Sequence, residues 1–328
     1  MQRGIRWWIS IMNKFQTFIR KEPARICMLL LIIVVECVVF SSTGYFFTAS
    51  NIFDALRASV EIGLAALGMT FVIMTTGIDL SVGSLLALVS VTIGFTYQAG
   101  CPFFLSLILG IVVGIAGGAF NGVLIVYGKL HPFVVTLGTF SFYRGIAYAA
   151  TDAGAVSVFP DAYAYAGRAY ILGVVPIQVV VFIVLTVLVW ILSKKTPFGT
   201  YVTAMGYNEE AAKFSGVQVR KFKMLVYILI GFLVAVAAII YTSRVSTARG
   251  NAAIGMELNV IAAVVLGGTD IKGGKGTIIG TFLGVVILAF LKNGLAMLSI
   301  RGDWALCVTG VVLLLGILLN RALEVRQE

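Results

Sequence analysis

The chain has 328 residues, of which 60% are hydrophobic and only 12% are charged, and its mean hydropathy is +1.03. Soluble domains carry about 25% charged residues, so this composition excludes a soluble globular protein and indicates a chain folded in lipid. The net charge of +10 is not accompanied by interleaved basic and aromatic residues, so we expect no nucleic-acid partner.

Long apolar runs without alternation predict the fold class. A chain in lipid spans as helices or as a closed barrel, and barrel strands alternate. We predict an all-α, polytopic helical membrane protein with a cytoplasmic segment at 1–25, a single transmembrane domain at 26–320 and a tail at 321–328. About ten runs approach the ~20 residues that a bilayer requires. They lie at 26–46, 58–76, 80–98, 103–126, 133–150, 170–193, 223–242, 258–268, 277–298 and 304–320.

The first span follows a basic N-terminal segment. The run from Ile26 to Phe40 resembles a signal peptide, but Glu36 interrupts it and no A-x-A cleavage site follows. We therefore predict an uncleaved span. The eighth span is too short to cross cleanly, and it is expected to be tilted, broken or partly re-entrant.

The basic residues predict the orientation. With both termini in the cytoplasm, seventeen Lys and Arg residues fall in inner segments and five in outer loops. This asymmetry follows the positive-inside rule. Both termini are therefore predicted to be cytoplasmic.

Two carboxylates lie within predicted spans. Glu36 is near the middle of the first span and Glu61 near the outer end of the second. A charge at the bilayer centre costs about 2.5–3.5 kcal/mol on insertion scales. Each is either protonated, hydrogen-bonded in the bundle, or functional, and a functional role would suit an ion-coupled secondary transporter.

The stretch GIDLSVGS at 77–84 joins the second and third spans. Asp79 and Ser81 are expected to cap the next helix, while Gly77 and Gly83 permit a break and close packing. Capping is favoured over a substrate role. The residues of this predicted turn are Gly77, Asp79, Ser81, Gly83 and Ser84.

Glycines recur every four residues in two later spans. The spacing places each set on one helix face, where another backbone can approach closely. Packing inside one bundle is favoured over a dimer interface. The sets are Gly110, Gly114, Gly118 and Gly122, then Gly276, Gly280 and Gly284.

The largest inner loop, 194–223, contains a short polar helix. Asn208 is expected to cap it, Glu209 and Glu210 suit its first turn, and Gly216 ends it. A polar helix on the lysine-rich side is well placed to touch a soluble partner. A solvated loop helix without a partner is the alternative.

The stretch LGGTDIKGGKGT at 266–277 is glycine-rich and cationic. A phosphate-binding Walker A loop requires G-x-x-x-x-G-K-[ST], but Thr269 and Gly276 occupy two of the required positions. We predict a tight turn with Lys272 and Lys275 at the cytoplasmic surface. Its structural glycines are Gly267, Gly268, Gly273 and Gly274.

No catalytic constellation is found. His131 is the only histidine, and the four cysteines form no C-x-x-C pair. We expect neither a metal nor a cofactor on this chain, and we do not expect an enzyme.

Three of these motifs together resemble the permease subunits of bacterial ABC importers for monosaccharides. This ribose-type family is related to the branched-chain amino-acid permeases, and the resemblance covers roughly 45–320. The motifs lie at 68–84, at 206–216, and at 261–269 with 273–276. Tyr207 and Asp270 depart from the family pattern.

The resemblance implies a division of labour. A periplasmic sugar-binding protein delivers the substrate, two permease subunits form the path across the bacterial inner membrane, and two ATPase subunits dock on cytoplasmic coupling helices. The implied coupling residues are Gly206, Asn208, Glu209, Glu210, Ala211, Ala212 and Gly216. A neutral polyol would need hydrogen-bonding side chains along its path, and the candidates are Asn121, Thr136, Thr139, Ser141 and Tyr143. An ion-coupled carrier, a branched-chain amino-acid permease and a scaffold without transport remain alternatives.

Overall fold

The computed structural model describes residues 22–152 and 154–300, and beyond them Trp304, Cys307, Val308, Gly310 and Val311. Most of the predicted N-terminal segment, nearly all of the tenth span and the tail lie outside these residues. The helices are α1 (Glu22–Ser41), α2 (Ala49–Arg57), α3 (Val60–Met74), α4 (Val82–Gln98), α5 (Phe103–Val126), α6 (Pro132–Thr151), α7 (Asp161–Ala166), α8 (Ile177–Lys195), α9 (Pro197–Tyr207), α10 (Glu209–Phe214), α11 (Val219–Val245), α12 (Met256–Leu266) and α13 (Ile278–Met297).

Strands are confined to four two-residue pieces. β1 (Ala155–Val156) pairs antiparallel with β4 (Ala248–Arg249), and β2 (Tyr170–Ile171) pairs with β3 (Val175–Pro176). All four lie in or next to segments predicted to be outer loops. The all-α prediction is therefore confirmed.

Several of the helices could cross a membrane. In the described residues, α5, α8, α11 and α13 are long and apolar enough to cross a bilayer, and α2 with α3, bent by 51°, would make a fifth span. α4 and α12 are apolar but shorter. A multi-pass membrane protein is thus supported, while ten spans and cytoplasmic termini stay predictions.

The core is built around α11, which packs against α3, α4 and α5. The closest approach is between α5 and α11. A Cβ at Gly114 would lie 2.6 Å from the Ala235 Cβ, and one at Gly118 would lie 3.0 Å from the Gly231 Cα. The glycine set of α5 therefore serves packing inside the bundle, as predicted.

The second glycine set behaves similarly. A Cβ at Gly280 would overlap the backbone of Gly267, the C-terminal cap of α12. A Cβ at Gly284 would overlap the backbone of Ala263 within α12. Gly276 precedes α13 and lies against Met74. These contacts hold α12 and α13 together as a closely packed pair.

The α5–α11 contact gives a direct stability prediction. Gly118→Ala should destabilise the protein by about 1–3 kcal/mol, because the added methyl group would overlap the Tyr227 carbonyl oxygen. Gly138→Ala on α6 is the matched control, since its Cβ meets no atom within 4 Å. Thermal unfolding of the detergent-solubilised proteins measures the difference. Equal melting temperatures for the two variants would contradict this account of the packing.

Candidate functional site

The predicted coupling segment forms a helical corner. α9 ends at Tyr207, and the Asn208 side-chain oxygen accepts a hydrogen bond from the Ala211 amide at 2.9 Å, so that it caps α10 as predicted. Gly216 adopts a positive φ of 87° after the helix. The Val217 amide then donates to the Ala212 carbonyl at 3.0 Å, which closes the corner.

The side chains of α10 point in two directions. Glu210 and Ala211 are exposed, whereas Ala212 is only 4% exposed and packs into the core. Ala212 therefore does not face a partner directly, and its expected coupling role would be to seat the helix. Glu209 pairs with Lys223 of α11 at the surface, and such exposed pairs contribute about 0–1 kcal/mol.

Two aromatic side chains at this corner are exposed. Phe214 is 89% exposed and Tyr207 is 62% exposed. Sequence reasoning missed Phe214, although an aromatic residue in the last turn of a polar helix was a usable signal. Exposed aromatic residues are typical anchors of protein interfaces.

The corner is packed directly onto two other motifs. A Cβ at Gly206 would overlap the Met74 carbonyl oxygen and lie 2.8 Å from the Gly274 Cα. The Gly274 amide donates to the same Met74 oxygen at 2.9 Å. The ends of α3 and α9 and the glycine turn before α13 thus meet at one point, which we call the junction (Met74, Gly206, Gly273 and Gly274).

The glycine turn at the junction is tight, as predicted. The Asp270 amide donates to the Lys275 carbonyl at 2.9 Å, and the Asp270 carboxylate accepts from the Lys272 amide at 2.9 Å. Arg25 at the start of α1 donates to the Gly268 carbonyl at 2.6 Å. Both lysines of the turn are exposed.

Beyond the junction, the motif at 77–84 begins as non-helical backbone. α12 has 11 residues, so its two ends are about 16 Å apart. Its N-terminal end lies beside the start of α4, since a Cβ at Gly83 would be 2.6 Å from the Ala253 carbonyl oxygen. Met74 lies beside the glycine turn that follows α12, whereas Gly83 lies beside the segment that precedes α12. Residues 75–81 therefore run inside the bundle from one end of α12 toward the other before α4 begins. Such backbone is tolerated at membrane depth only where protein satisfies its polar groups.

A buried polar cluster supplies these partners. Ser81 donates to the Asp79 carboxylate through its hydroxyl at 2.6 Å and its amide at 2.8 Å. The Asn121 side-chain amide donates to the Ser81 hydroxyl at 2.9 Å and to Asp79 at 3.5 Å. Ser81 therefore does not cap α4 through its hydroxyl, contrary to the prediction, because that hydroxyl is donated to Asp79.

The predicted path residues lie around the same cluster, with one exception. Thr136 donates to the Ile78 carbonyl at 2.9 Å, and Tyr143 donates to the Gly117 carbonyl at 2.8 Å. Thr139 is buried beside them and bonds the Thr136 carbonyl at 3.4 Å. Ser141 is exposed on the other face of α6. Ser84 closes the cluster by donating to the Ser81 carbonyl at 2.9 Å.

At the end of the bundle opposite the junction, an ion pair joins α3 to α11. Arg244 of α11 donates to the Glu61 carboxylate of α3 at 2.9 and 3.0 Å. In the neighbouring loop, Tyr163 donates to the Ile239 carbonyl at 2.5 Å, and burial raises the pKa of its phenol. Among the described residues, no cluster of His, Cys, Asp and Glu could hold a metal ion.

Comparison with known proteins places these motifs in a family. Residues 51–317 match the family described as the permease component of the branched-chain amino acid transport system. The chain belongs to this permease family. No solved structure matches it significantly.

Curated relatives within the family share most of the chain. The ribose import permease protein RbsC of Bacillus subtilis is 42% identical over 273 residues, or 83% of this chain and 84% of the relative. That of Haemophilus influenzae is 35% identical, over 94% of this chain and 96% of the relative. The D-allose transport system permease protein AlsC of Escherichia coli is 34% identical, over 86% and 87%. The resemblance to ribose-type permeases is thereby confirmed.

Proposed function

We propose that this permease is the membrane-spanning subunit of an ABC importer for a monosaccharide or similar small polyol. A separate chain hydrolyses the ATP. The observation that carries the proposal is the junction, where the three family motifs meet directly beneath the exposed face of α10. The sequence contains no Walker A loop, so any ATP would be hydrolysed by a partner, and α10 is the element exposed to contact it.

The packing suggests how movement at α10 would reach the bundle. The junction allows no Cβ at Gly206, so a displacement of α9 and α10 must move the ends of α3 and of the glycine turn as well. From Met74 the chain continues through 75–81 into α4. Packed units shift as rigid bodies rather than deform continuously, so α4 and its polar cluster would move with the corner.

The remaining partners and the location follow from the family. We propose an ATPase at α10, a periplasmic sugar-binding protein on the opposite side, and a second permease subunit, either identical or similar. The bacterial inner membrane is the proposed location, with ten spans and both termini in the cytoplasm. Ribose and allose in the relatives' names favour a neutral sugar over a branched-chain amino acid.

An uptake assay tests the substrate class. The permease, its ATPase and its binding protein would be reconstituted in proteoliposomes and supplied with labelled D-ribose. We expect ATP-dependent accumulation of D-ribose that unlabelled D-allose reduces more than leucine does. Accumulation of leucine with no uptake of D-ribose would instead assign the permease to amino acids.

The two carboxylates predicted to lie within spans, Glu36 and Glu61, do not favour an ion-coupled carrier equally. Glu61 is compensated by Arg244, as two hydrogen bonds show. Glu36 is buried, and its Oε2 has no hydrogen-bond partner among the described residues. Glu36 is therefore the residue on which the ion-coupled alternative depends.

Glu36→Gln tests that alternative. We expect ATP-driven uptake to stay within about twofold of the parent, because glutamine is nearly isosteric and an ATP-driven permease needs no proton on this side chain. The measurement is the initial uptake rate in proteoliposomes at equal protein content. Loss of uptake in a normally folded variant would support ion coupling through Glu36.

A further inference from the structure

Arg144 is a buried cation on α6 with unused hydrogen-bonding capacity. It is 8% exposed, and its Nη1 donates to the carbonyl oxygens of Gly250 and Ala252 at 2.7 and 2.6 Å. Its Nε and Nη2 are buried without a partner among the described residues. Leaving such donors unpaired costs about 1–3 kcal/mol each, and more when the group is charged.

Glu257, in the same region, is a hydrogen-bond acceptor with an unused oxygen. It lies in the first turn of α12, and its Oε2 is buried without a hydrogen-bond partner in the described part of the chain. That oxygen lies over Gly83, where a Cβ would be 2.6 Å away. The Ala252 carbonyl that accepts from Arg144 and the Ala253 carbonyl that also lies 2.6 Å from this Cβ belong to adjacent residues, which places the two side chains in one region, yet no ion pair joins these two described residues.

The surroundings combine aromatic and polar groups. The Arg144 guanidinium lies over the Phe140 ring at 5.9 Å, and Tyr148 occupies the next turn of α6. Tyr143, beside Arg144, contacts the polar cluster around Asn121. Arg144 and Glu257 therefore lie near the start of α4, the helix that a movement of the junction would displace.

We infer that Arg144 and Glu257 form a substrate contact pair for the hydroxyl groups of a neutral polyol. The Arg144 N–H groups would donate hydrogen bonds to hydroxyl oxygens of the sugar. Other hydroxyl groups of the sugar would donate hydrogen bonds to the Glu257 carboxylate. Charge-assisted bonds of this kind are the stronger ones. A neutral diol satisfies donor and acceptor together without adding a charge to the membrane interior. The inference rests on the proposed function and adds the residues that contact the sugar.

Saturation-transfer NMR on the permease–ATPase complex in nanodiscs tests the pair, with millimolar D-ribose as the probe and no binding protein present. The parent complex should transfer magnetisation to the sugar. Arg144→Gln and Glu257→Gln should each raise the Kd for D-ribose about tenfold or more, the effect of losing a hydrogen bond to a charged group. Arg168→Gln, on the exposed outer loop, is the control and should leave the Kd unchanged.

The outcomes separate the inference from the function on which it rests. Unchanged D-ribose binding in folded Glu257→Gln overturns the contact pair, and this variant decides the question if Arg144→Gln does not fold. If the parent complex transferred magnetisation to leucine but not to D-ribose, and Arg144→Gln and Glu257→Gln abolished that transfer, the pair would bind a zwitterion and the polyol assignment would be wrong. ATP-driven D-ribose uptake without any transfer in the parent overturns the site alone, whereas no uptake and no transfer overturn the proposed function as well.

Discussion

Placing a single methyl group at Gly206 is expected to lower ATP-driven uptake by about tenfold or more. In Gly206→Ala the new Cβ would overlap the Met74 carbonyl oxygen and lie 2.8 Å from the Gly274 Cα. The junction must open to accept it, at a cost of about 1–3 kcal/mol. A coupling energy of that size corresponds to about 5–150-fold. Uptake and ATP hydrolysis would be measured together in proteoliposomes.

The ratio of the two rates shows whether coupling or folding has been lost. We expect the ATPase to remain bound and to hydrolyse ATP with little sugar moved. Gly138→Ala is the control, since it adds the same methyl group to a helix at a position with no atom within 4 Å. Normal uptake by Gly206→Ala would mean that the junction does not transmit movement from α10.

Removing the Phe214 side chain is expected to detach the ATPase. This residue is 89% exposed at the end of α10, and aromatic anchors at the centre of an interface contribute about 2 kcal/mol or more. Phe214→Ala should therefore reduce the ATPase that co-purifies with the permease by about tenfold or more. Glu210→Lys should also weaken binding, because it reverses an exposed charge on the same helix.

An exposed aromatic residue elsewhere provides the control for Phe214. Tyr165 is 76% exposed in the segment predicted to lie outside the membrane, and Tyr165→Ala should retain the ATPase in full. Glu209→Lys should have a mixed effect, because it also breaks the pair with Lys223. If Phe214→Ala and Glu210→Lys both co-purified with ATPase at the parent level, α10 would not be the docking element.

Local chemistry made part of this structure predictable. The cap of α10 at Asn208 and its end at Gly216 depend on residues within one or two turns. The short eighth span was predicted from length alone and is observed as the 11-residue α12. The glycine spacing of α5 likewise indicated close helix packing, although it could not identify α11 as the neighbour.

Features that depend on distant segments were not predictable. The junction joins three segments that are at least 67 positions apart in the sequence, and nothing near Gly206 in the sequence indicates Met74 or Gly274. Ser81 was predicted to cap α4, but its hydroxyl bonds Asp79 while Asn121 donates to it from α5. The unsatisfied atoms of Arg144 and Glu257 likewise become evident only when the loop after α11 is placed against α6.

The energy source is the most direct test of the account. Purified permease would be reconstituted with and without its ATPase, with binding protein present, and labelled D-ribose uptake would be measured with either ATP or an imposed proton or sodium gradient. For the membrane subunit of an ATP-driven importer we expect uptake only when ATPase and ATP are both present, and no uptake from a gradient alone. Gradient-driven uptake by the permease without ATPase would contradict this expectation.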